Sequence, residues 1–347
     1  MKECPSCRRC YDDKSNFCPI DGIGLTLSLS GPRLLGGKYR LERLIARGGM
    51  GAIYQAVQEE LSRLIAIKVL NPEFVNNPTA LERFRREALA SANLKHPNIV
   101  TIYDFGVTPS GSSFIAMEFL KGRSLSVLLE QEGKLGLDRT LKIIEPICQA
   151  LTEAHHKGII HRDLKPDNIM LEQSGTNEVV KVVDFGLAKL KQRAEQRRIT
   201  GNLVVGTFDY MSPEQCQSLD LDPTSDIYSL GVMLYEMLTG RVPFHSQSRL
   251  ATIYQHINEP PRPPREFAPE IPQLVESVIL KALAKDPRDR QQSSKELFEE
   301  LVEASQDVSL ASGVSNRQQR LLEDTGKLIK PEAERKKINS ALKKHLV

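Results

Sequence analysis

His161-Arg162-Asp163-Leu164-Lys165-Pro166-Asp167-Asn168 and the later triplet Asp184-Phe185-Gly186 form the stretch from which the rest of the chain can be read. Asp184 lies sixteen residues after Asn168. Each segment carries oxygen donors: Asp163 and Asn168 in the first, Asp184 in the second. Upstream, Ile65-Ala66-Ile67-Lys68-Val69 is a short β-branched run that ends on a lysine and reads as a buried strand. Residues 78–93 have helical character, with Pro78 near the start and Leu81, Phe84, Ala88 and Leu89 at helical spacing. A lysine carried into a half-buried strand needs a carboxylate partner, because an unpaired ammonium there is costly. Before the strand comes Ile45-Ala46-Arg47-Gly48-Gly49-Met50-Gly51-Ala52-Ile53-Tyr54, a loop whose glycines let backbone N–H groups approach phosphates.

Phosphoryl transfer passes through a loose, charge-spread transition state, so the work of the protein is to position groups and neutralise charge. An Asp must orient the attacking hydroxyl and take its proton; an Asn and a second Asp must hold Mg²⁺. The segments supply these groups in the order that protein kinases use. The chain therefore resembles a Hanks-type (eukaryotic-like) serine/threonine protein kinase, over roughly residues 39–302. The resemblance implies an α+β, bilobal protein kinase fold: a small β-rich N-lobe with one helix (39–120) and a larger α-helical C-lobe (121–302).

The resemblance also implies roles. Asp163 is the base, Lys165 contacts the γ-phosphate, and Asn168 and Asp184 bind Mg²⁺ or Mn²⁺. Lys68 holds the ATP phosphates and Glu87 is its ion-pair partner. Ala46, Gly48, Gly49, Met50, Gly51 and Ile53 form the loop over the phosphates. Met117-Glu118-Phe119-Leu120 fits the hinge, with Met117 as gatekeeper and backbone groups of Glu118 and Leu120 on the adenine edge. Ala66 and Met170 or Leu171 pack on the adenine faces. Thr207 shapes the site for Ser or Thr acceptors, and Thr200 is the candidate autophosphorylation site. Glu214, in Met211-Ser212-Pro213-Glu214, pairs with Arg290, and Asp226 anchors the catalytic loop. Three positions depart from the family pattern: Ala46 replaces the first glycine, Ser212 the alanine before Pro-Glu, and Ser91 a large apolar residue four positions after Glu87.

A separate cysteine-rich module precedes this region, with four of the six cysteines between Cys4 and Cys18. Cys4-Pro5-Ser6-Cys7 and Phe17-Cys18-Pro19-Ile20-Asp21-Gly22 resemble the two knuckles of a zinc ribbon. Structural zinc takes four ligands in a tetrahedron. Cys4, Cys7 and Cys18 are candidates; the fourth position is open between Asp21, which stands where the last Cys would sit, and Cys10. Residues 1–22 are read as this zinc-ribbon-like module, 23–38 as a flexible linker, and 303–347 as a polar linker with a basic tail of helical composition.

The balance of 47 Lys+Arg against 44 Asp+Glu gives +3 over 347 residues, and no electrostatic case for nucleic acid. No run approaches the roughly 18 apolar residues of a membrane span, and clustered cysteines at metal spacing suit a reducing cytoplasm. The expected partners are protein substrates, with a homodimer through the N-lobe or the tail as a further option. Two other functional classes stay open: an ATP-binding pseudokinase scaffold, and a zinc-ribbon interaction protein.

Overall fold

The computed structural model describes residues 1–29, 31–48, 51–70, 88, 92–107, 111, 113–175, 177–185 and 208–306. Three two-residue strands come first: β1 (Lys2–Glu3), β2 (Cys10–Tyr11) and β3 (Thr26–Leu27), in the order β2-β1-β3. A six-stranded antiparallel sheet follows, built from β4 (Leu34–Leu35), β5 (Tyr39–Gly48), β6 (Gly51–Gln58), β7 (Arg63–Leu70), β8 (Ile102–Val107) and β9 (Ser113–Glu118). Its order is β4-β5-β6-β7-β9-β8. In β6 every second residue, Ala52, Tyr54 and Ala56, points into the core, the period-2 pattern of a strand with one buried face. β7 is buried without interruption from Ile65 to Leu70, which carries Lys68 inside the lobe. A Cβ on Gly51 would lie 2.0 Å from the Val69 carbonyl oxygen, so only glycine lets β6 begin this close to β7.

The second lobe opens with β10 (Gly122–Ser124), α1 (Leu125–Glu132) and α2 (Leu137–His156). β11 (Ile169–Ser174) and β12 (Asn177–Val182) join β10 in an antiparallel sheet of order β10-β11-β12. The helices α3 (Pro213–Cys216), α4 (Pro223–Thr239), α5 (Arg249–Asn258) and α6 (Gln273–Ala282) follow, and α7 (294–306) closes the lobe. α4 is the central element: all its residues but Pro223 and Glu236 are buried. Asp222 caps its start by accepting from the Thr224 N–H at 2.8 Å, and Gly231 lets it approach α6, where an added Cβ would come within 2.8 Å of Ala282 Cβ. Among the described residues no helix is long and apolar enough to cross a membrane.

The N-terminal module differs from its sequence reading in one respect. Residues 23–38 were expected to be a flexible linker, but they contain β3, which completes the module's sheet, and β4, which pairs with β5. Met1 and Cys10 lie in the same apolar cluster as Leu35, Tyr39, Leu41, Leu44, Ala52 and Tyr54. A segment with too few apolar side chains for a core of its own has placed them in the core of the N-lobe. The basic end of the tail (307–347) and Ser91 lie outside the described residues.

Candidate active site

The catalytic loop is assembled around one buried carboxylate. Asp226, in the first turn of α4, is 1% exposed. Its Oδ2 accepts from the His161 backbone N–H at 2.8 Å and lies 2.8 Å from His155 Nε2. Its Oδ1 accepts from the Arg162 N–H at 2.9 Å. Burial alone would raise the Asp226 pKa, but His155 and these N–H groups hold it below the usual carboxylate range. Asp226 thus fixes the backbone just before Asp163. His161 is fully buried; its Nε2 lies 2.9 Å from the Val183 carbonyl, and its ring meets Phe185 edge-on with centroids 4.7 Å apart. The Val183 N–H donates to the Asn168 carbonyl at 3.0 Å. These contacts join the 161–168 loop to the 184–185 turn.

Asn168 donates from Nδ2 to the Asp163 backbone carbonyl at 2.7 Å. With that nitrogen committed, its carbonyl oxygen is the atom it can offer a cation. Lys165 Nζ lies 3.2 Å from Asp163 Oδ2. Lys68, 7% exposed, reaches Asp184 Oδ2 at 2.5 Å. An amide oxygen and a carboxylate are the hard donors that Mg²⁺ prefers, so the set fits that ion. Arg162 (φ 69°) and Asp184 (φ 63°) both occupy left-handed backbone, uncommon for non-glycine residues, and both adjoin groups assigned to the chemistry.

Above this point Met117 is buried in β9, opposite Ala66 and Ile102. Lys68, Met117, Asp184 and Phe185 line a small cavity together with Ile99, Val100, Ile102 and Ile115. The Glu118 N–H donates to Thr101 O at 2.9 Å, and its carboxylate pairs with Lys181 at 2.8 Å. Ala46 sits in β5 opposite Ile53, and Gly48 opposite Gly51. Gly49, Met50, Glu87, Thr200 and Thr207 lie outside the described residues.

Glu214 and Arg290 meet as the sequence suggested. The guanidinium donates to both carboxylate oxygens, at 2.8 and 2.9 Å, and both side chains are buried. Other contributors were not singled out from sequence. His155 is one of them; it falls in the last turn of α2, where nothing marks it as the partner of a residue far along the chain. Gln215 is another: its Nε2 donates to the Arg162 carbonyl at 2.7 Å.

At the N-terminus, Cys4, Cys7, Cys18 and Asp21 bring their ligand atoms within 4.8 Å of one another. Cys7 Sγ and Cys18 Sγ are 3.7 Å apart, and Cys4 Sγ is 3.2 Å from Asp21 Oδ2. A tetrahedral ion with Zn–S bonds of about 2.3 Å would set its sulfurs about 3.8 Å apart; a disulfide would set them at about 2.05 Å. The donors therefore fit zinc. The Cys7 N–H points to Cys4 Sγ at 3.4 Å and the Tyr11 hydroxyl lies 3.2 Å from Cys18 Sγ, the kind of outer contact that orients metal ligands. Cys10 is not the fourth member: it is 1% exposed and packed in the N-lobe cluster, its thiol pushed up to about 12 by burial.

The protein kinase domain family matches residues 39–302. A probable serine/threonine-protein kinase of Streptomyces coelicolor is 42% identical over 269 residues, covering 77% of this chain and 40% of that protein. Serine/threonine-protein kinase pkn3 of Myxococcus xanthus is 40% identical, with 76% of this chain and 49% of that protein covered. For serine/threonine-protein kinase PknB of Mycolicibacterium smegmatis the figures are 40%, 78% and 43%. The chain thus spans less than half the length of these curated relatives. Among solved structures, the PknI kinase domain of Mycobacterium tuberculosis superposes with a TM-score of 0.62 at 25% identity, covering 77% of this chain and 96% of that one.

Proposed function

The chain belongs to the protein kinase family, and we propose that it transfers the γ-phosphoryl of ATP to serine and threonine hydroxyls of proteins. The observation that carries this reading is the junction of the two motifs. Asp226 and His161 tie the loop that bears Asp163 and Asn168 to the turn that bears Asp184, and Asp184 in turn meets Lys68.

In this reading the Asp163 carboxylate orients the acceptor hydroxyl and takes its proton. Its main chain is steadied by Asn168 Nδ2. Lys165, already 3.2 Å from Asp163 Oδ2, turns its ammonium to the γ-phosphoryl. Lys68 holds the α- and β-phosphates. Asn168 and Asp184 would hold Mg²⁺ or Mn²⁺, which when bound neutralises charge on the triphosphate. Gly48 and Gly51, with Ala46, Gly49, Met50 and Ile53, cover the phosphates. Backbone groups of Glu118 and Leu120 take the adenine edge, with Met117 as gatekeeper. Glu87 is the proposed partner of Lys68, Thr207 of Asp163, and Thr200 is the proposed autophosphorylation site.

A zinc ion held by Cys4, Cys7, Cys18 and Asp21 belongs to the same proposal, and the distance match between the two thiols supports it. The reading places the protein in the cytoplasm, where such thiols stay reduced. A homodimer through the N-lobe or the tail is part of it, checked by sedimentation of the full chain.

Phosphate transfer to a generic basic protein, with sites read by mass spectrometry, tests the function. Asp163→Asn should lower turnover by about 10²–10⁴-fold, the usual worth of a positioned base, while nucleotide binding persists. Undiminished turnover would remove Asp163 from its role. ATP binding without transfer by the unaltered protein would favour a scaffold instead.

A further inference from the structure

The hairpin of β5 and β6 carries the glycine-rich loop at its tip, between Gly48 and Gly51. β5 faces β6 on one side. Its other edge pairs with β4 only at Tyr39 and Arg40, which leaves the half nearest the loop to be covered by something else. That cover is the cysteine module. Arg9 bridges to Arg43, the Leu44 N–H donates to the Arg8 carbonyl at 2.8 Å, and the Arg8 guanidinium donates to the Ile45 carbonyl at 3.2 Å. Ile45 lies where the β5–β6 register shifts, between Leu44 and Ala46. Unsatisfied edge groups there have been taken up by the module's own backbone.

A second attachment lies nearer the loop. Glu3 pairs with Arg47 at 2.8 Å, Arg47 donates to Ser28 Oγ at 2.7 Å, and Ser28 Oγ lies 2.8 Å from the hydroxyl of Tyr54, a buried residue of β6. Arg47 immediately precedes Gly48. Both attachments therefore grip the loop-proximal end of the hairpin.

The gripping residues adjoin the thiol cluster. Glu3 precedes Cys4, and Arg8 follows Cys7. Arg8 is held at φ 58°, a left-handed conformation that is unfavourable for a non-glycine residue. The turn that holds it runs from the Arg8 N–H to the Cys4 carbonyl and from the Cys4 N–H to the Arg9 carbonyl, each at 2.9 Å. A metal held by both Cys4 and Cys7 would tie the two ends of this turn together. Cys4 and Cys18 are buried, whereas Asp21 is exposed and Cys7 partly so. The oxygen donor is thus on the open side, where an ion can enter and leave.

We propose that zinc at Cys4, Cys7, Cys18 and Asp21 is a clamp on the nucleotide loop: occupancy fixes the Arg8 turn, the turn holds β5, and β5 sets the affinity for ATP. This rests on the metal reading given above and goes beyond it, since a zinc ion whose effect stopped at the module, without reaching β5 through Arg8 and Arg47, would leave nucleotide affinity unchanged. The ligand class is a divalent, thiophilic cation. The regulated quantity is binding of a nucleoside triphosphate with Mg²⁺.

The test uses the full chain and zinc alone as the probe. Zinc content is measured by atomic emission, and binding of a non-hydrolysable ATP analogue with Mg²⁺ is titrated on loaded, stripped and reloaded protein. One zinc per chain is expected. Stripping should weaken nucleotide binding by about 5-fold or more, the lower end of ordinary allosteric coupling, and reloading should restore it. Glu3→Gln, which leaves all four ligands and the Arg8 turn in place, should keep its zinc and still bind nucleotide more weakly. One zinc per chain with equal nucleotide affinity in the loaded and stripped states overturns the clamp alone. Failure to retain zinc overturns the metal reading, and the clamp with it.

Discussion

Asp226 shows how much one side chain can organise. Both its oxygens are used, on two consecutive backbone N–H groups and on His155. Replacing it by Asn would turn an amide nitrogen toward groups that already donate. A buried donor left without its acceptor costs about 1–3 kcal/mol, so Asp226→Asn should lower the melting temperature and slow phosphoryl transfer, both measurable on the purified chain. The pH dependence has a definite sign. The folded pKa is depressed, so Asp226 contributes stability above its unfolded value of about 3.9, and that contribution is lost as the pH falls through the lower folded value. The variant should lack this part of the acid limb in a denaturation series. The type and order of Asp163, Asn168 and Asp184 were legible in the sequence because the proposed chemistry calls for those groups. His155 was not, because an imidazole at the end of an amphipathic helix carries no local sign of its partner.

Among the elements, α3 explains one departure from the family pattern. Ser212 is its N-cap: Ser212 Oγ accepts from the Gln215 N–H at 3.3 Å, while Gln215 Oε1 accepts from the Ser212 N–H at 2.8 Å. This capping box satisfies donors at the helix start that an alanine could not. Gln215 continues to the Arg162 carbonyl, so the cap also connects the start of α3 with the 161–168 loop. Ser212→Ala should cost about 1 kcal/mol, seen as a lower denaturant midpoint with an unchanged slope. The strands illustrate the opposite case. β7 followed from the β-branched run around Lys68, whereas β3 and β4 fell in a stretch whose glycines, serines and proline read as linker. They are strands only because β1 and β5 offer edges to pair with.

Across the whole molecule, a buried ion pair bridges distant parts of the C-lobe. Arg290 meets Glu214 through two bonds and also donates to the carbonyls of Thr224, Ala284 and Lys285. Burial raises the Glu214 pKa on its own account, but Arg290 brings it below the ordinary value. Removing one partner of such a pair leaves an uncompensated buried charge, at a cost of about 3–5 kcal/mol. Arg290→Met should therefore reduce stability by about that much in a denaturant titration, with activity falling in step with the folded fraction. A melting curve like that of the unaltered chain would argue against a structural role for the pair.

The sequence by itself determined the family and the two-lobed plan, and it named the groups proposed for phosphoryl transfer, because those features rest on residue types in a fixed order. It also singled out Cys4, Cys7 and Cys18 as members of the N-terminal cluster, through the two short knuckle-like segments that hold them. Only the tertiary structure decided between Asp21 and Cys10, by burying Cys10 among Leu41, Leu44 and Tyr54 and bringing Asp21 beside Cys4. It likewise decided that the cysteine module lies along β5 instead of standing apart. A module too small to bury its own apolar side chains and a sheet edge with unpaired backbone groups satisfy each other, and that complementarity exists only when segments far apart in sequence come together.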